Sequence, residues 1–188
     1  TYLYKGEKVG GWTLSVGNAL GWFVPLKEQK AKTKRKNLVV KPTSKDGEND
    51  ALHIKWKGKK VKSQWGGNAL NDSSFTIARN KVDLSSVEDA AALVLEMKIL
   101  KRPNEATTLS MTCKYNNKCA GKYPLKAILR KLPTDEWLTL PIPLACFKKT
   151  EAGEFDFSEV TTAMSIATQG KLEIELATVG LAALPPGK

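Results

Sequence analysis

The sequence predicts an all-β protein, an antiparallel β-sandwich of jelly-roll type, on three observations. Apolar and polar residues alternate with a period of two in one segment after another, whereas the 3.6-residue period of an amphipathic helix is hard to find. The alternating segments are short and are separated by turn-forming stretches such as Arg102-Pro103-Asn104-Glu105 and Pro133-Thr134-Asp135-Glu136, as expected of eight or more strands joined by loops of moderate length. The 188 residues, 41% of them hydrophobic, suffice for one packed core and are slightly long for it.

Each strand follows from its own pattern. In 52–57, Leu52, Ile54 and Trp56 share one face and His53, Lys55 and Lys57 the other, which is the signature of a half-buried strand. The same alternation marks 93–99, where Leu95, Met97 and Ile99 oppose Glu96 and Lys98, and 172–176, where Leu172, Ile174 and Leu176 oppose Glu173 and Glu175. Further strands are expected at 38–41, 75–78, 107–113, 137–142 and 164–167. Residues 83–91 have the composition of a single helical turn started by a Ser cap, and 125–132 fit helix or strand equally. Residues 1–26 lie outside this regularity and are read as an N-terminal linker or docking segment, 27–181 as the sandwich, and 182–188 as a tail.

The net charge of +11 raises the question of a nucleic-acid partner, because basic surfaces attract phosphate backbones through counterion release. Its distribution is uneven: residues 27–62 hold thirteen Lys or Arg against four acids, so nine of the eleven net charges sit in about a fifth of the chain. They form two runs, 27–36 and 55–62, which read first as a solvated loop and the outer face of a strand and only second as a patch for an anionic polymer. Nucleic acid is therefore not the expected partner. No apolar run reaches membrane-spanning length, so a membrane is not expected either. The opening residues carry neither a signal-peptide pattern nor an initiator Met, and the chain reads as a piece of a longer protein.

Cys113 and Cys119 flank five turn-forming residues and suit a hairpin tip closed by a disulfide, with two free thiols as the alternative. Cys146, between apolar neighbours, reads as a buried thiol. Three cysteines and a single histidine, His53, match no zinc-site spacing, and no metal site is expected. The lone histidine sits on the polar face of a lysine-rich strand, a poor place for a nucleophile–base pair. No phosphate-cradling Gly motif is present, and no pair of carboxylates stands out as a glycosidase pair. The chain is not expected to be an enzyme.

Flat aromatic rings cover the C–H faces of sugars while amides and carboxylates bond their hydroxyls, so the five tryptophans carry information. Trp56 and Trp137 lie in strand patterns and are expected in the core. Trp65 sits in a polar, Gly-containing stretch that also supplies Gln64, Asn68, Asn71 and Asp72, and is the leading candidate for a sugar platform. Trp22 is the second, although its apolar neighbours favour docking of the N-terminal segment.

The order of Trp56-Lys57-Gly58, Val82-Asp83-Leu84-Ser85, Leu109-Ser110-Met111-Thr112-Cys113 and Cys119-Ala120-Gly121 is followed by the run Trp137-Leu138-Thr139-Leu140-Pro141-Ile142-Pro143-Leu144 to Phe147. This order resembles the galactose-binding-like C-terminal domain of bacterial exo-acting β-glucan glucohydrolases of glycoside hydrolase family 3. Phe155-Asp156-Phe157 and the alternating 172–181 complete the likeness. Tyr4-Lys5-Gly6 and Trp12-Thr13-Leu14 look like the join out of the catalytic body. The resemblance implies a secreted, periplasmic or cell-surface parent that removes glucose from β-glucans with catalytic residues in upstream domains, none of which maps onto this chain. It implies an accessory module that binds or positions β-glucan, the alternatives being a purely structural domain packed on the catalytic body and a basic binder of anionic polymer. Related sandwiches often hold a structural calcium through an acidic residue on the last strand. Here that stretch reads Leu176-Ala177-Thr178-Val179, so calcium is not expected and no cofactor is.

Overall fold

Alternating segments bury their apolar rows only when two sheets face each other, and the computed structural model shows this arrangement. The structure describes residues 2–7, 9–59, 61–62, 70–151 and 153–184, with the backbone alone at 61, 62, 70, 71 and 117. In chain order the strands are β1 (Tyr2–Lys5), β2 (Thr13–Asn18), β3 (Gly21–Pro25), β4 (Ala31–Lys32), β5 (Leu38–Thr43), β6 (Ala51–Lys57), β7 (Val61–Lys62), β8 (Leu70–Asn71) and β9 (Ser73–Val82). They continue with β10 (Ala91–Lys101), β11 (Thr107–Cys113), β12 (Asn116–Pro124), β13 (Trp137–Pro143), β14 (Lys149–Thr150), β15 (Gly153–Glu154), β16 (Val160–Thr168) and β17 (Lys171–Ala183). A seven-stranded sheet runs β13-β10-β17-β6-β5-β4, with β1 also paired to β17, and a six-stranded sheet runs β12-β11-β16-β9-β2-β3. Every pairing in both is antiparallel.

The core lies between the sheets. Leu52, Ile54 and Trp56 of β6, Leu93 to Ile99 of β10 and Leu172 to Leu176 of β17 meet Phe75 and Ile77 of β9 and Leu109 and Met111 of β11. Trp56 also ties the layers together, its indole N–H donating to the backbone oxygen of Ser73 at 2.9 Å. Beside it the fully buried Asn37 donates to the Ser73 hydroxyl at 2.6 Å and accepts from the Lys59 amide at 2.7 Å. A buried polar group is tolerated when it is bonded in this way.

Residues 125–132 resolve as helix. The helix α1 (Lys126–Lys131) buries Leu125 and Leu129, four residues apart on one face, and stops where Leu132 turns extended before Pro133. In 83–91 the turn is a 3-10 segment, Ser85–Val87, whose start is held by the Asp83 carboxylate accepting from the Ser85 amide. Trp56 is buried as expected. Trp137 is only half-buried, at the start of β13, with the ammonium groups of Lys98 and Lys45 at 5.1 and 5.7 Å from its ring centre. Cys146 is likewise half-buried, and its partial loss of hydration holds the thiol above its ordinary range.

The boundary expected at residue 26 is not where the fold divides. β1 belongs to the seven-stranded sheet, β2 and β3 complete the six-stranded one, and Leu3, Tyr4, Trp12, Leu14 and Val16 enter the core. The segment is short of long alternating runs because glycines interrupt it, and its burial comes from partners far along the chain. β17 likewise continues to Ala183, into what the pattern set aside as tail.

Tyr4 gives the N-terminal strand a pH signature. Its hydroxyl is buried and accepts from the Gln29 amide at 3.0 Å. Burial, opposed by that hydrogen bond and reinforced by Asp50, holds its pKa well above the ordinary tyrosine value. A raised folded-state pKa means that stability is complete below the unfolded value of about 10 and is lost as pH rises above it. Alkaline unfolding followed by circular dichroism should therefore steepen above about pH 10, and Tyr4→Phe should remove that part of the pH dependence.

Candidate functional site

The outer face of the six-stranded sheet carries a carpet of small hydroxyl side chains. Inward residues are large, since Val16, Phe75, Ile166 and Leu109 stand in one cross-strand row. One residue away the outward row is Pro25, Ser15, Thr76, Ser165, Ser110 and Lys122 on β3, β2, β9, β16, β11 and β12. The Thr76 and Ser165 hydroxyls are bonded to each other at 3.1 Å. Small side chains leave room above the sheet, and a groove of about 580 Å³ opens there, lined in part by Ser15, Thr76, Thr112, Thr161 and Thr162.

Aromatic rings rim this groove. Edge strand β3 supplies Trp22, 64% exposed, and Phe23, 41% exposed, and the β11–β12 turn supplies Tyr115, 71% exposed. Together they are three of the four exposed large hydrophobic residues described, the fourth being Tyr2. The Arg79 guanidinium lies 3.6 Å above the Phe23 ring centre, a cation–π stack that fixes both groups. Arg79 has a positive φ of 66° inside β9, where the pairing to β16 slips. The bulge re-aims its side chain towards the groove.

Tyr115 is held from below. Lys114 and Tyr115 both take positive φ, 55° and 53°, the geometry of a two-residue hairpin turn. The Tyr115 amide donates to the Thr161 hydroxyl at 3.0 Å, and Lys114 pairs with Asp156 at 3.2 Å. In the structure a disulfide joins Cys113 to Cys119 across the base of the turn. Closing so short a loop stabilises by about 2 kcal/mol in the chain-entropy account. The double variant Cys113→Ala/Cys119→Ala should lose about that much in urea unfolding, with line broadening at Tyr115 in NMR spectra.

The sequence candidates divide. Trp65, Gln64 and Asn68 lie outside the described residues, Asn71 pairs through its backbone with Val61 in the β7–β8 hairpin, and Asp72 is exposed one residue before β9. Trp22 does not dock into the fold as its apolar neighbours suggested; it stands on an edge strand facing solvent. Phe23, Arg79 and Tyr115 were not read from the sequence. An aromatic at a turn tip between two cysteines was the one available sign for Tyr115.

No described group of three or more His, Cys, Asp or Glu is placed to hold a metal ion. In β17, Ala177 is buried and its backbone oxygen accepts from the Gly6 amide. Among the described residues no helix is long and apolar enough to cross a membrane.

Two antiparallel sheets face to face, with a ring-rimmed groove on the outside of one, define an antiparallel β-sandwich. The chain belongs to the Exop_C family, described as galactose-binding domain-like, whose profile matches residues 12–181. It is similar to the extra C-terminal domain (X) of the exo-1,3/1,4-beta-glucanase ExoP from a Pseudoalteromonas species, with 18% identity over 100% of this chain and 95% of that one and a TM-score of 0.74. Against the exo-1,3/1,4-beta-glucanase from the same organism the identity is 19% and the TM-score 0.75, with 99% of this chain matching 21% of that one. A family 30 carbohydrate binding module matches with 17% identity over 98% of each chain and a TM-score of 0.67. At these identities the likeness is one of fold. No curated protein matches the sequence.

Proposed function

We propose that the chain is a non-catalytic accessory module of a secreted β-glucan-degrading glycoside hydrolase of family 3, and that it holds glucan chains on the outer face of the six-stranded sheet. The observation that carries this reading is the gathering of Trp22, Phe23 and Tyr115, from distant parts of the sequence, around one groove. Exposed rings cost the fold solvation without helping the core. Placed together they make a platform for the C–H faces of sugars, while Arg79 and the Ser and Thr hydroxyls can bond sugar hydroxyls. The likeness to the extra domain of an exo-1,3/1,4-beta-glucanase supports β-1,3- and β-1,4-linked glucose as the ligand class and an upstream catalytic body in the same polypeptide. Trp65, with Gln64, Asn68, Asn71 and Asp72, is a second platform in the proposal.

Titration with soluble β-1,3- and β-1,4-gluco-oligosaccharides, followed by tryptophan fluorescence and calorimetry, tests it. Trp22→Ala should weaken binding by about 2 kcal/mol, roughly thirty-fold. Loss confined to Trp65→Ala would move the site to the second platform. No response to any glucan would leave a structural domain that packs on the catalytic body without sugar affinity.

A further inference from the structure

The opposite face of the sandwich carries a different chemistry. On the outside of the seven-stranded sheet the cross-strand register sets Lys171 of β17 directly beside Lys57 of β6, and Lys101, Glu173 and Lys55 in a row across β10, β17 and β6. The next row is Lys98, Glu175, His53 and Lys41. Lys32 of β4 continues the first row beyond Val39. Lys55, Lys57, Lys101 and Lys171 surround an open pocket of about 390 Å³ whose one carboxylate is Glu173.

The carboxylates of this face are already engaged. Glu173 is bonded to the His53 ring at 2.5 Å, Glu175 to Lys98 at 3.3 Å and to the Thr43 hydroxyl at 2.9 Å, and Glu96 to Lys45 at 3.4 Å. Among the described residues none of the four pocket lysines forms an ion pair. Like charges directly opposite on neighbouring strands are destabilising. Lysines guard sheets against aggregation at edge strands, but β6 and β17 are interior strands flanked on both sides. Edge protection therefore does not account for them.

We infer that this lysine cluster is a second binding site, for an acidic polysaccharide that presents sulfate or uronate groups along its chain. Strands stand about 4.8 Å apart, comparable with the repeat of a pyranose chain, so ammonium groups on successive strands can meet oxyanions on successive sugars. No exposed ring lines the lysine pocket for unstacked bases: Trp56 is buried beneath it, Trp137 is half-buried under two ammonium groups, and the exposed Tyr2 of β1 lies on the same sheet beside Val94, Glu96 and Thr139, not among the pocket lysines. Single-stranded nucleic acid is bound by such rings. A flat sheet surface also has no element to enter a duplex groove. The site is independent of the ring-rimmed groove on the other sheet.

The test is calorimetric titration of the chain with a heparin-derived hexasaccharide and with hexagalacturonate, at several salt concentrations. A neutral cello-hexaose and a 16-base-pair DNA duplex are the comparisons. One or both acidic sugars should bind more tightly than the other two, and the arm that binds tells sulfate from uronate. The double variant Lys57→Gln/Lys171→Gln should weaken binding at least tenfold and reduce the log–log salt slope by about 1.4, on the order of 0.7 per neutralised charge. Glu173→Gln should tighten binding several-fold, and Trp22→Ala should leave it unchanged. Melting curves confirm that the variants are folded. Failure of both acidic sugars to outbind cello-hexaose, tighter binding of the duplex, or dependence on Lys34, Arg35 and Lys36 in place of Lys57 and Lys171 would each overturn the inference. The comparison with cello-hexaose is made on the Trp22→Ala variant, so that glucan binding at the ring-rimmed groove does not enter it and the two sites fail or stand separately.

Discussion

Trp56→Ala should cost the domain about 3–5 kcal/mol, the largest loss expected of any single substitution outside the glycines. The side chain is 1% exposed and spans the space between the sheets. Its truncation opens a cavity too deep for either sheet to fill without moving, and it leaves the Ser73 oxygen without the indole donor. Since a domain has only about 5–15 kcal/mol of net stability, the variant should be partly unfolded at moderate urea. Equilibrium urea unfolding followed by far-ultraviolet circular dichroism is the measurement. A lower midpoint at unchanged slope identifies a stability loss in place of a change in the unfolded state. Trp56→Phe separates the two contributions, because it keeps most of the ring and removes the donor, and should cost about 1–3 kcal/mol. A loss below about 1 kcal/mol for Trp56→Ala, well under the usual large-to-small cost, would show that this residue does not hold the sheets together.

Gly17→Ala should damage the ring-rimmed face more than it damages the fold. A Cβ on Gly17 would lie 2.3 Å from the backbone oxygen of Trp22 and 2.6 Å from its carbonyl carbon. The obstruction is backbone, so no side chain can swing aside. β3 is an edge strand, paired only to β2, and it can shift outwards at the usual overpacking cost of about 1–3 kcal/mol. That shift carries Trp22 and Phe23 away from Arg79 and the hydroxyl carpet. Glucan affinity should therefore fall at least as far as in Trp22→Ala, although both rings are still present. Unchanged affinity in a folded Gly17→Ala variant would mean that the position of β3 does not matter for the ligand. Gly121→Ala, whose Cβ would meet the Phe147 backbone oxygen at 2.1 Å, makes the same contact at the other edge strand and should lower stability without affecting the rings at β3.

The strands were legible wherever alternation was long. The expected 107–113 coincides with β11, and 52–57, 93–99 and 172–176 lie within β6, β10 and β17 with their apolar residues turned inwards. The N-terminal strands were not legible as part of the sandwich. In Thr13-Leu14-Ser15-Val16-Gly17 the alternating run is brief and bounded by glycines, and what makes it a strand is β9, some sixty residues further on. The groove was less legible still. Trp22 was singled out as the second sugar-platform candidate while its apolar neighbours pointed to docking, because neighbours in sequence say nothing about which of them share its side of an edge strand. Arg79 owes its position to a bulge in β9, which no pattern of residue types announces.

The sequence by itself determined the class of fold and the inward-facing residues, because burying an apolar side chain is favourable whatever its partner. With period two this assigns every second residue to the core and its neighbours to the outside. Only the tertiary structure decided what the outside faces do. The outer surface of one sheet became a carpet of hydroxyls rimmed by Trp22, Phe23 and Tyr115, and that of the other a field of lysines. The reason is that which strand lies beside which, and in what register, is settled by backbone pairing between segments far apart in the chain. That pairing brought residues 22, 79 and 115 to one groove and residues 57 and 171 side by side.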